Sequence, residues 1–415
     1  MSPALPYLPR LIDGLLTELV GQVPAVLLTG PRATGKTTTA ARLARSIVRL
    51  DRQAEAAAFL ADPDAALQAL PEPILFDEWQ EVPGVLGAVK RAVDAFPRPG
   101  RFILTGSVRA DLEAETWPGT GRLVRLPVYG LTERELAGRA QGPSFIDKLA
   151  DGNIDAISIP HERTNLTGYL KLALRSGFPE AALRLTDRPH QLWLQSYVEQ
   201  LLTRDATSLD SSRDPARLRK YFEALALNTA GLVETKTMSD AAGITQKTAH
   251  VYESLLVNLM VLERLSAWTS NRLSRLIKAP KRYLMDPALV TSTLGLDLVA
   301  ILRDGNLLGR ILDTFVMAQI RPELILSERN PRVYHLRTES GRHEIDALIE
   351  LSGDRVIGLE IKATAAPKRE DARHLIWLRD ELGERFLTGA VLHSGPSKYV
   401  IDDRIFAVPI CALWA

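Results

Sequence analysis

The chain has 415 residues, of which 46% are hydrophobic and 24% are charged, and its formal net charge is +1. This length predicts two or three domains with sizeable cores. The composition excludes a disordered, collagen-like or disulfide-stapled protein. Because cations and anions balance, composition predicts no strongly basic face and gives no support to nucleic-acid binding, although it does not exclude it.

The cellular location is constrained by three features of the sequence. The single cysteine, Cys411, cannot form an internal disulfide, which fits a reducing compartment. Prolines interrupt the first ten residues, where a signal peptide needs a helical apolar core. No apolar stretch is long enough to span a membrane. We therefore expect a cytoplasmic protein without a membrane partner.

A glycine-rich turn lies between an apolar run at residues 25–29 and a helical pattern that starts at Thr38. It matches G-x-x-x-x-G-K-[ST] in the required strand–loop–helix context, and the alternative is a plain glycine turn before a helix. The glycines let backbone N–H groups surround a phosphate, Lys36 can reach the β- and γ-phosphates, and Thr37 can ligate Mg²⁺. The residues expected to bind nucleotide are Gly30, Pro31, Arg32, Ala33, Thr34, Gly35, Lys36, Thr37 and Thr38.

A second apolar run, at residues 73–76, ends in the carboxylates Asp77 and Glu78. Such a run predicts a buried parallel strand, and its carboxyl end is where open α/β sheets bind ligands. We expect Asp77 to hold Mg²⁺ through water and Glu78 to orient and polarise the attacking water. The alternative is a strand end with two solvated acids.

Two further strands are predicted at residues 46–51 and 101–107, and a helix is predicted at residues 83–95. Strands that alternate with helices indicate a doubly wound parallel sheet.

Polar residues at and beyond the end of the 101–107 strand are candidates for contacts with the transferred phosphate. Thr105 or Ser107 is placed to hydrogen-bond the γ-phosphate or the lytic water. Arg109 and Arg122 are candidates for a γ-phosphate contact, in their own subunit or in a neighbouring one. A surface ion pair is the alternative for each arginine.

The order of these motifs resembles that of prokaryotic AAA-type P-loop ATPases fused to a C-terminal domain of unknown function. The resemblance implies an ATPase domain at residues 10–137 and ATP as the nucleotide, and we find no GTP-selecting N/T-K-x-D element. Ring assembly is typical of AAA proteins, so a homo-oligomer is compatible with it. The segments that carry the resemblance are residues 30–37, 50–51, 76–83, 102–107, 126–136 and 177–180.

The middle of the chain begins with residues 137–165, which are rich in Gly, Asp, Asn, Ser and Pro and predict a linker or a long surface loop. Helical patterns follow, for example at residues 192–202. Residues 237–265 and 282–285 then resemble a winged helix-turn-helix, with Thr245 as the N-cap of the second helix. We expect a helical and winged-helix segment over residues 165–285.

The winged-helix resemblance implies a surface for DNA. The residues expected in a DNA groove are Gln246, Lys247, Thr248 and His250. The residues expected near the DNA backbone are Arg272, Arg275, Lys278, Lys281 and Arg282. The alternative is a winged helix used for packing or for protein contact.

Two segments with alternating apolar residues flank a turn at residues 352–354. If the turn has three residues, pairing is symmetric about Gly353 and Asp346 lies directly across from Glu360. Two carboxylates about 5 Å apart, with Lys362 two residues further on, suit a divalent metal and a water nucleophile. One face is predicted to carry Ile345, Ala347, Ile349 and Leu351.

The arrangement Asp346…Glu360-x-Lys362 is similar to the metal site of restriction-endonuclease-like proteins. This implies an α/β nuclease-like domain over residues 286–415. That superfamily often adds an acidic residue from a preceding helix, usually Glu in the ATPase family above, and Asp313 takes this position here. The alternative is a domain that keeps the fold without cleaving nucleic acid.

The predicted fold is α/β: a P-loop parallel-sheet domain, a helical and winged-helix segment, and a nuclease-like domain. The expected function is Mg²⁺-dependent ATP hydrolysis, with Lys36 as charge clamp and Glu78 as base, coupled to a nuclease-like, DNA-binding domain. The alternative is an ATP-gated regulatory or DNA- or protein-binding switch with an inactive nuclease-like domain. A third interpretation makes both halves modules of a partner-binding scaffold.

Overall fold

The structure, a computed structural model, describes residues 6–107, 121–209, 214–269, 279–338 and 341–415. Within these ranges no helix is both long enough and apolar enough to cross a membrane. The described chain forms an N-terminal parallel sheet, a helical segment with a small hairpin, and a C-terminal mixed sheet.

The strands of the N-terminal sheet are β1 (Ala25–Thr29), β2 (Ser46–Arg49), β3 (Ile74–Asp77), β4 (Phe102–Gly106) and β5 (Leu123–Pro127). Among the described residues all five are parallel, in the order β2-β3-β4-β1-β5. β1, β3 and β4 are apolar on both faces because helices cover both sides of the sheet. The predicted doubly wound parallel sheet is confirmed.

The helices of this part are α1 (Asp13–Gln22), α2 (Lys36–Ala41), α3 (Gln53–Ala61), α4 (Pro63–Gln68), α5 (Gly84–Ala95) and α6 (Glu133–Leu136). On one face of the sheet, Val85 and Val89 of α5 pack with Phe76. On the other face, Leu16 of α1 packs with Val26. The carboxyl ends of β1, β3 and β4 therefore open at one edge between the two helical layers.

The helices that follow are α7 (Phe145–Ala150), α8 (Leu166–Arg175), α9 (Pro179–Arg184), α10 (Asp187–Gln200), α11 (Ala206–Leu209) and α12 (Pro215–Leu227). A π-helical turn, Leu201–Asp205, joins α10 to α11. The prediction of a linker or surface loop at residues 137–165 is wrong where α7 forms, since Phe145 is buried. Its backbone N–H donates to the distant Glu323 carboxylate at 2.8 Å, a tertiary contact that the local composition cannot indicate.

The next elements are α13 (Thr235–Ala242), α14 (Gln246–Asn258), β6 (Leu262–Leu265) and β7 (Lys281–Leu284). Gly243, with a φ of 66°, ends α13 in the left-handed conformation that glycine adopts without strain. Thr245 Oγ1 accepts a hydrogen bond from Thr248 N at 3.1 Å, so Thr245 caps α14 as predicted. β6 and β7 pair in antiparallel fashion.

The C-terminal helices are α15 (Pro287–Leu294), α16 (Leu298–Arg303), α17 (Gly305–Leu326) and α18 (Arg373–Leu382). The strands are β8 (Arg332–Arg337), β9 (Glu344–Leu351), β10 (Arg355–Lys362), β11 (Phe386–His393), β12 (Tyr399–Asp402) and β13 (Ile405–Pro409). Among the described residues they form one sheet in the order β12-β13-β11-β10-β9-β8. α17 and α18 both pack against β10, and each contributes to a different core cluster.

Short 3₁₀ helices occupy Trp79–Glu81, Ile154–Ala156, Arg369–Ala372, Gly383–Arg385 and Ile410–Trp414. One core cluster includes buried side chains from the middle helices and from one face of the C-terminal sheet, such as Tyr221 of α12 and Leu359 of β10. The helical segment and the C-terminal sheet thus share a continuous hydrophobic core.

A β-bulge in β9 changes the faces that simple alternation predicts. β9 is symmetric with β10 about Gly353 as predicted, since the pairs run from Arg355↔Leu351 to Leu359↔Ala347. Against β8, however, the register shifts between Tyr334 and Leu336. Ile345 consequently packs in the cluster on the α18 side, whereas Ala347 packs on the α17 side. The prediction that Ile345 and Ala347 share one face is wrong because the bulge inserts one residue between them.

Candidate functional site

The glycine-rich turn connects the carboxyl end of β1 to α2, which begins at Lys36. A Cβ atom on Gly30 would overlap the backbone carbonyl oxygen of Val128, so only glycine fits there. Gly35 has a φ of +88°, which L side chains rarely adopt. Two glycines are thus required by the shape of the loop itself.

The side chain of Lys36 lies inside this loop. Its Nζ donates to Gly30 O at 3.0 Å and to Pro31 O at 2.8 Å. The residue is 4% exposed, and burial lowers the pKa of Lys36 to about 8. An ammonium held by two carbonyl oxygens can exchange them for phosphate oxygens, which are stronger acceptors because they are charged.

Thr37 and Asp77 meet between the first turn of α2 and the end of β3. Thr37 Oγ1 donates to Asp77 Oδ1 at 2.6 Å, and Thr105 Oγ1 of β4 donates to the same oxygen at 2.6 Å. A threonine hydroxyl and a carboxylate are hard oxygen ligands, so these two residues fit Mg²⁺. The structure therefore brings together the predicted metal pair, and Thr105 supports Asp77.

Glu78 follows Asp77 with a left-handed backbone, φ 52°. Ser107 Oγ donates to Glu78 Oε2 at 3.2 Å, and Gln80 Nε2 donates to the same oxygen. Glu78 N donates to Thr105 Oγ1 at 3.3 Å. Ser107 is thus placed beside the predicted base, and Gln80 joins it from a 3₁₀ helix that the strand pattern does not reveal.

The two arginines proposed for the γ-phosphate have different outcomes. Arg109 lies outside the described residues. Arg122 Nε lies 2.6 Å from Asp94 Oδ1, and both side chains are 40% exposed, so within this chain Arg122 forms a surface ion pair, as the alternative predicted.

Residues far apart in sequence hold the P-loop from outside. Arg10 Nη1 donates to Thr34 O at 2.9 Å, and Arg10 Nε pairs with Glu135 at 2.9 Å. From the helical segment, Arg32 Nη1 lies 3.1 Å from Asp205 Oδ1. The sequence alone did not indicate Arg10 or Asp205, because neither belongs to a local motif.

A second cluster of charged residues lies where β7, α17 and β9 meet. Lys281 Nζ lies 2.7 Å from Asp313 Oδ2 and 3.1 Å from Asp346 Oδ1. Tyr283 OH donates to Asp313 Oδ1 at 3.1 Å. The helix residue Asp313 and the strand residue Asp346 are therefore brought together as predicted, but with a lysine between them.

Glu360 and Lys362 complete this cluster on β10. Lys362 Nζ lies 2.9 Å from Glu360 Oε2, while Glu360 Oε1 is buried without a hydrogen-bond partner among the described residues. Burial, reinforced by Asp346, raises the pKa of Glu360 to about 8. Burial alone would raise the pKa of Asp346, but Lys281 and Lys362 bring it below its usual value.

These residues do not fit a divalent metal as they are arranged. The Lys281 ammonium occupies the place between Asp313 and Asp346 where a cation would be shared. Among the described residues, no group of three or more His, Cys, Asp and Glu side chains could hold a metal ion.

Lys281 and Arg282 are not cations of a DNA-binding face, so that prediction is wrong for both. Arg282 is 5% exposed, pairs with Glu253 at 2.9 Å and donates to Val233 O at 2.9 Å. Both side chains point into the core because β7 is buried. Arg272, Arg275 and Lys278 lie outside the described residues. Gln246, Lys247 and His250 are exposed, and Thr248 is half-buried.

Three family models match this chain. Residues 22–137 match an AAA domain, residues 166–299 match a domain of unknown function (DUF8612), and residues 308–413 match another (DUF4143). The parallel sheet, the phosphate-binding loop and the first match together support an AAA-type P-loop ATPase that binds ATP.

At the level of individual proteins, the chain is similar to an uncharacterized protein of Mycobacterium bovis and to one of Mycobacterium tuberculosis. Each is 29% identical over 400 residues, which are 95% of this chain and 82% of the relative. A Walker-type ATPase of Pyrococcus abyssi aligns in structure with a TM-score of 0.43 and 14% identity, over 68% of this chain and 94% of its own.

Proposed function

We propose that this protein hydrolyses ATP with Mg²⁺ at the carboxyl edge of β1, β3 and β4. The observation that carries the proposal is the 2.6 Å contact between the Thr37 hydroxyl and the Asp77 carboxylate, directly beside the P-loop. P-loop NTPases hold Mg²⁺ with these two residue types. Thr37 and Asp77 would hold the ion, which neutralises charge on the β- and γ-phosphates when bound.

The side chains around this pair have separable roles. Lys36 exchanges the carbonyls of Gly30 and Pro31 for oxygens of the β- and γ-phosphates. Glu78 accepts the proton of the attacking water. Ser107 acts by holding the Glu78 carboxylate, since its hydroxyl already donates to that group.

The test compares ATP turnover and fluorescent-ATP binding in wild type, Lys36→Ala and Glu78→Gln. Loss of Lys36 removes both binding and turnover. Glu78→Gln keeps binding but lowers turnover by about 100-fold or more, the usual contribution of a general base. Glu81→Gln is the matched control, because Glu81 is exposed three residues further on. Equal turnover in all four proteins would remove the hydrolysis proposal.

For the C-terminal part we propose a nuclease-like domain that does not cleave nucleic acid. The supporting observation is the Lys281 ammonium, which lies within 3.1 Å of both Asp313 and Asp346. The protein is then an ATP-gated regulatory or binding protein rather than an ATP-driven nuclease. DNA and RNA nicking assays with Mg²⁺ or Mn²⁺ test this, with Asp346→Ala and Lys362→Ala as controls. Cleavage that disappears in both variants would reinstate an active nuclease.

The exposed start of α14 is the surface proposed to contact DNA or a protein partner. Gln246, Lys247 and His250 are exposed there, in the second helix of the helix–turn–helix. If the partner is duplex DNA, Lys247→Ala weakens binding and lowers the salt slope by about 1. Lys90→Ala on α5 is the control. Equal salt slopes for both variants would exclude a DNA-backbone contact by Lys247.

A cytoplasmic location and assembly into a homo-oligomer stay predictions. Buried Cys411 is compatible with the former.

A further inference from the structure

The P-loop is joined to the helical segment by an ion pair that neither motif reveals. Arg32 is the third residue of the loop, and its Nη1 lies 3.1 Å from Asp205 Oδ1. Asp205 is the last residue of the π-helical turn between α10 and α11. π-helical turns are rare in proteins, and those that occur are often found at functional sites. The pair therefore connects the phosphate-binding loop to an irregular point of a neighbouring helix.

This ion pair is electrostatically coupled to charged residues of the proposed ATP site. Burial raises the pKa of Asp205, Arg32 and Arg204 oppose that shift, and the Glu78 carboxylate adds to it. Asp205 is thus within electrostatic range of the proposed base. The positive charge of Arg32 in turn opposes protonation of Lys36. The charges of Arg32, Lys36, Glu78 and Asp205, which lie on separate elements, are therefore coupled to one another.

The two partners differ in how much they depend on the pair. The Asp205 side chain is 10% exposed, whereas that of Arg32 is 38% exposed. Arg32 Nε is buried without a hydrogen-bond partner among the described residues, so part of its donor capacity is unused. Guanidinium groups bind phosphate with two parallel hydrogen bonds. A triphosphate in the loop would therefore compete with Asp205 for Arg32.

Helix α10, which precedes the π-helical turn, also contacts Arg32, through the side chain of Tyr197. Tyr197 OH donates to Arg32 O at 3.4 Å, and Trp193 stacks on the Tyr197 ring with centroids 5.6 Å apart. A shift of the Arg32 guanidinium toward nucleotide would break its ion pair with Asp205, while the hydrogen bond from Tyr197 to the backbone of Arg32 ties α10 to the same loop residue. Tyr197 and Asp205 belong to one continuous helical stretch, from α10 into the π-helical turn.

We propose that Arg32 contacts the γ-phosphate of ATP and that Asp205 holds Arg32 aside when no γ-phosphate is present, so that the pair couples nucleotide state to the helical segment. This inference rests on the proposed ATP hydrolysis. Arg32 is then a γ-phosphate arginine within the P-loop itself, and the contact expected of Arg109 stays a separate prediction. Asp205 is a positioning residue, because the role proposed for it is exerted through its ion pair with Arg32. ADP lacks the γ-phosphate and leaves the pair intact.

The test uses the full-length protein with Mg²⁺ and compares AMP-PNP with ADP. In wild type, AMP-PNP changes hydrogen exchange in residues 197–209 and ADP does not. Arg32→Gln lowers AMP-PNP affinity by about tenfold or more, as expected for charge-assisted hydrogen bonds, leaves ADP affinity unchanged and abolishes the exchange response. Asp205→Asn, nearly the same shape, raises AMP-PNP affinity several-fold and makes exchange in residues 197–209 independent of nucleotide.

The exposed pair Arg91–Asp64 on the same domain supplies matched controls. Arg91→Gln and Asp64→Asn should behave as wild type in every measurement. The proposal is overturned, while ATP hydrolysis stands, if Arg32→Gln weakens the binding of AMP-PNP and of ADP equally. It is also overturned if AMP-PNP leaves hydrogen exchange in residues 197–209 of the wild type unchanged. If wild type binds no ATP and Lys36→Ala behaves identically, the proposed function fails and this inference with it.

Discussion

The ammonium of Lys281 in β7 lies 2.7 Å from the carboxylate of Asp313 in α17, and the side chains are 4% and 9% exposed. The same ammonium reaches Asp346 in β9, 65 residues further along the chain. One buried cation therefore joins the hairpin, the long helix and the C-terminal sheet. Lys281, which was predicted to contact DNA, thus forms ion pairs with Asp313 and Asp346, which were predicted for a metal site.

Replacing Lys281 by methionine should destabilise the protein strongly. The change keeps side-chain length but leaves Asp313 and Asp346 buried without their cation, which typically costs about 3–5 kcal/mol. Thermal and urea unfolding at pH 7 measure the effect. Lys247→Met is the control on an exposed helix face, where about 0.5 kcal/mol or less is expected. An unchanged melting temperature for Lys281→Met would show that the buried pair contributes nothing.

The stability of the protein should fall as the pH rises from about 4.5 to about 8 because of Glu360. Its pKa is raised to about 8 in the folded state, from 4.5, mainly by burial. An acid with a raised pKa stabilises the fold below its unfolded pKa, and this contribution is lost as the pH rises through the folded pKa. Glu360→Gln keeps a neutral side chain and should make the melting temperature fall less steeply with rising pH, while Asp313, whose pKa burial raises to about 6, still contributes.

The control for this titration is Glu344→Gln in the neighbouring strand β9, where the side chain is 45% exposed. The Glu344→Gln protein should show the same fall of melting temperature with pH as the wild type. A pH profile that Glu360→Gln does not alter would contradict a buried, protonated Glu360.

ATP binding should take up a proton near pH 8.5. Burial lowers the pKa of Lys36 to about 8, so without nucleotide about half of the Lys36 side chains are neutral at pH 8 and most of them are neutral at higher pH. Phosphate contacts favour the charged ammonium, and affinity should therefore fall as the pH rises above 8. Calorimetry in two buffers of different ionisation enthalpy measures the uptake. Lys36→Arg stays charged and should show none, whereas equal uptake in both proteins would assign the proton to another group.

Adding one methyl group at Gly30 should damage the P-loop. A Cβ atom there overlaps the Val128 carbonyl oxygen, and backbone cannot move aside as a flexible side chain can. We expect Gly30→Ala to lower the melting temperature and abolish nucleotide binding. Gly84→Ala is the control, because a Cβ there meets nothing within 4 Å and alanine favours the helix. Normal nucleotide binding by Gly30→Ala would contradict the close contact.

The residues that sequence reasoning identified in the ATPase site are those carried by contiguous motifs. Gly30 to Thr37 belong to one turn, and Asp77 ends strand β3, whose neighbours in a parallel sheet end at the same edge. Asp205 and Arg10 were not predicted, because each contacts the glycine-rich loop from another part of the fold. The symmetric pairing of β9 with β10 was predictable from a three-residue turn, whereas the bulge opposite β8 was not.

The sequence by itself determined the parallel sheet, the glycine-rich turn between β1 and α2 and the strand register about Gly353, since these follow from local periodicity, glycine geometry and turn length. Only the tertiary structure decided which charges neutralise one another. It placed Lys281 between Asp313 and Asp346, and Arg32 against Asp205. Such pairs form between elements distant in sequence because a buried charge takes whichever opposite charge the packing brings within reach.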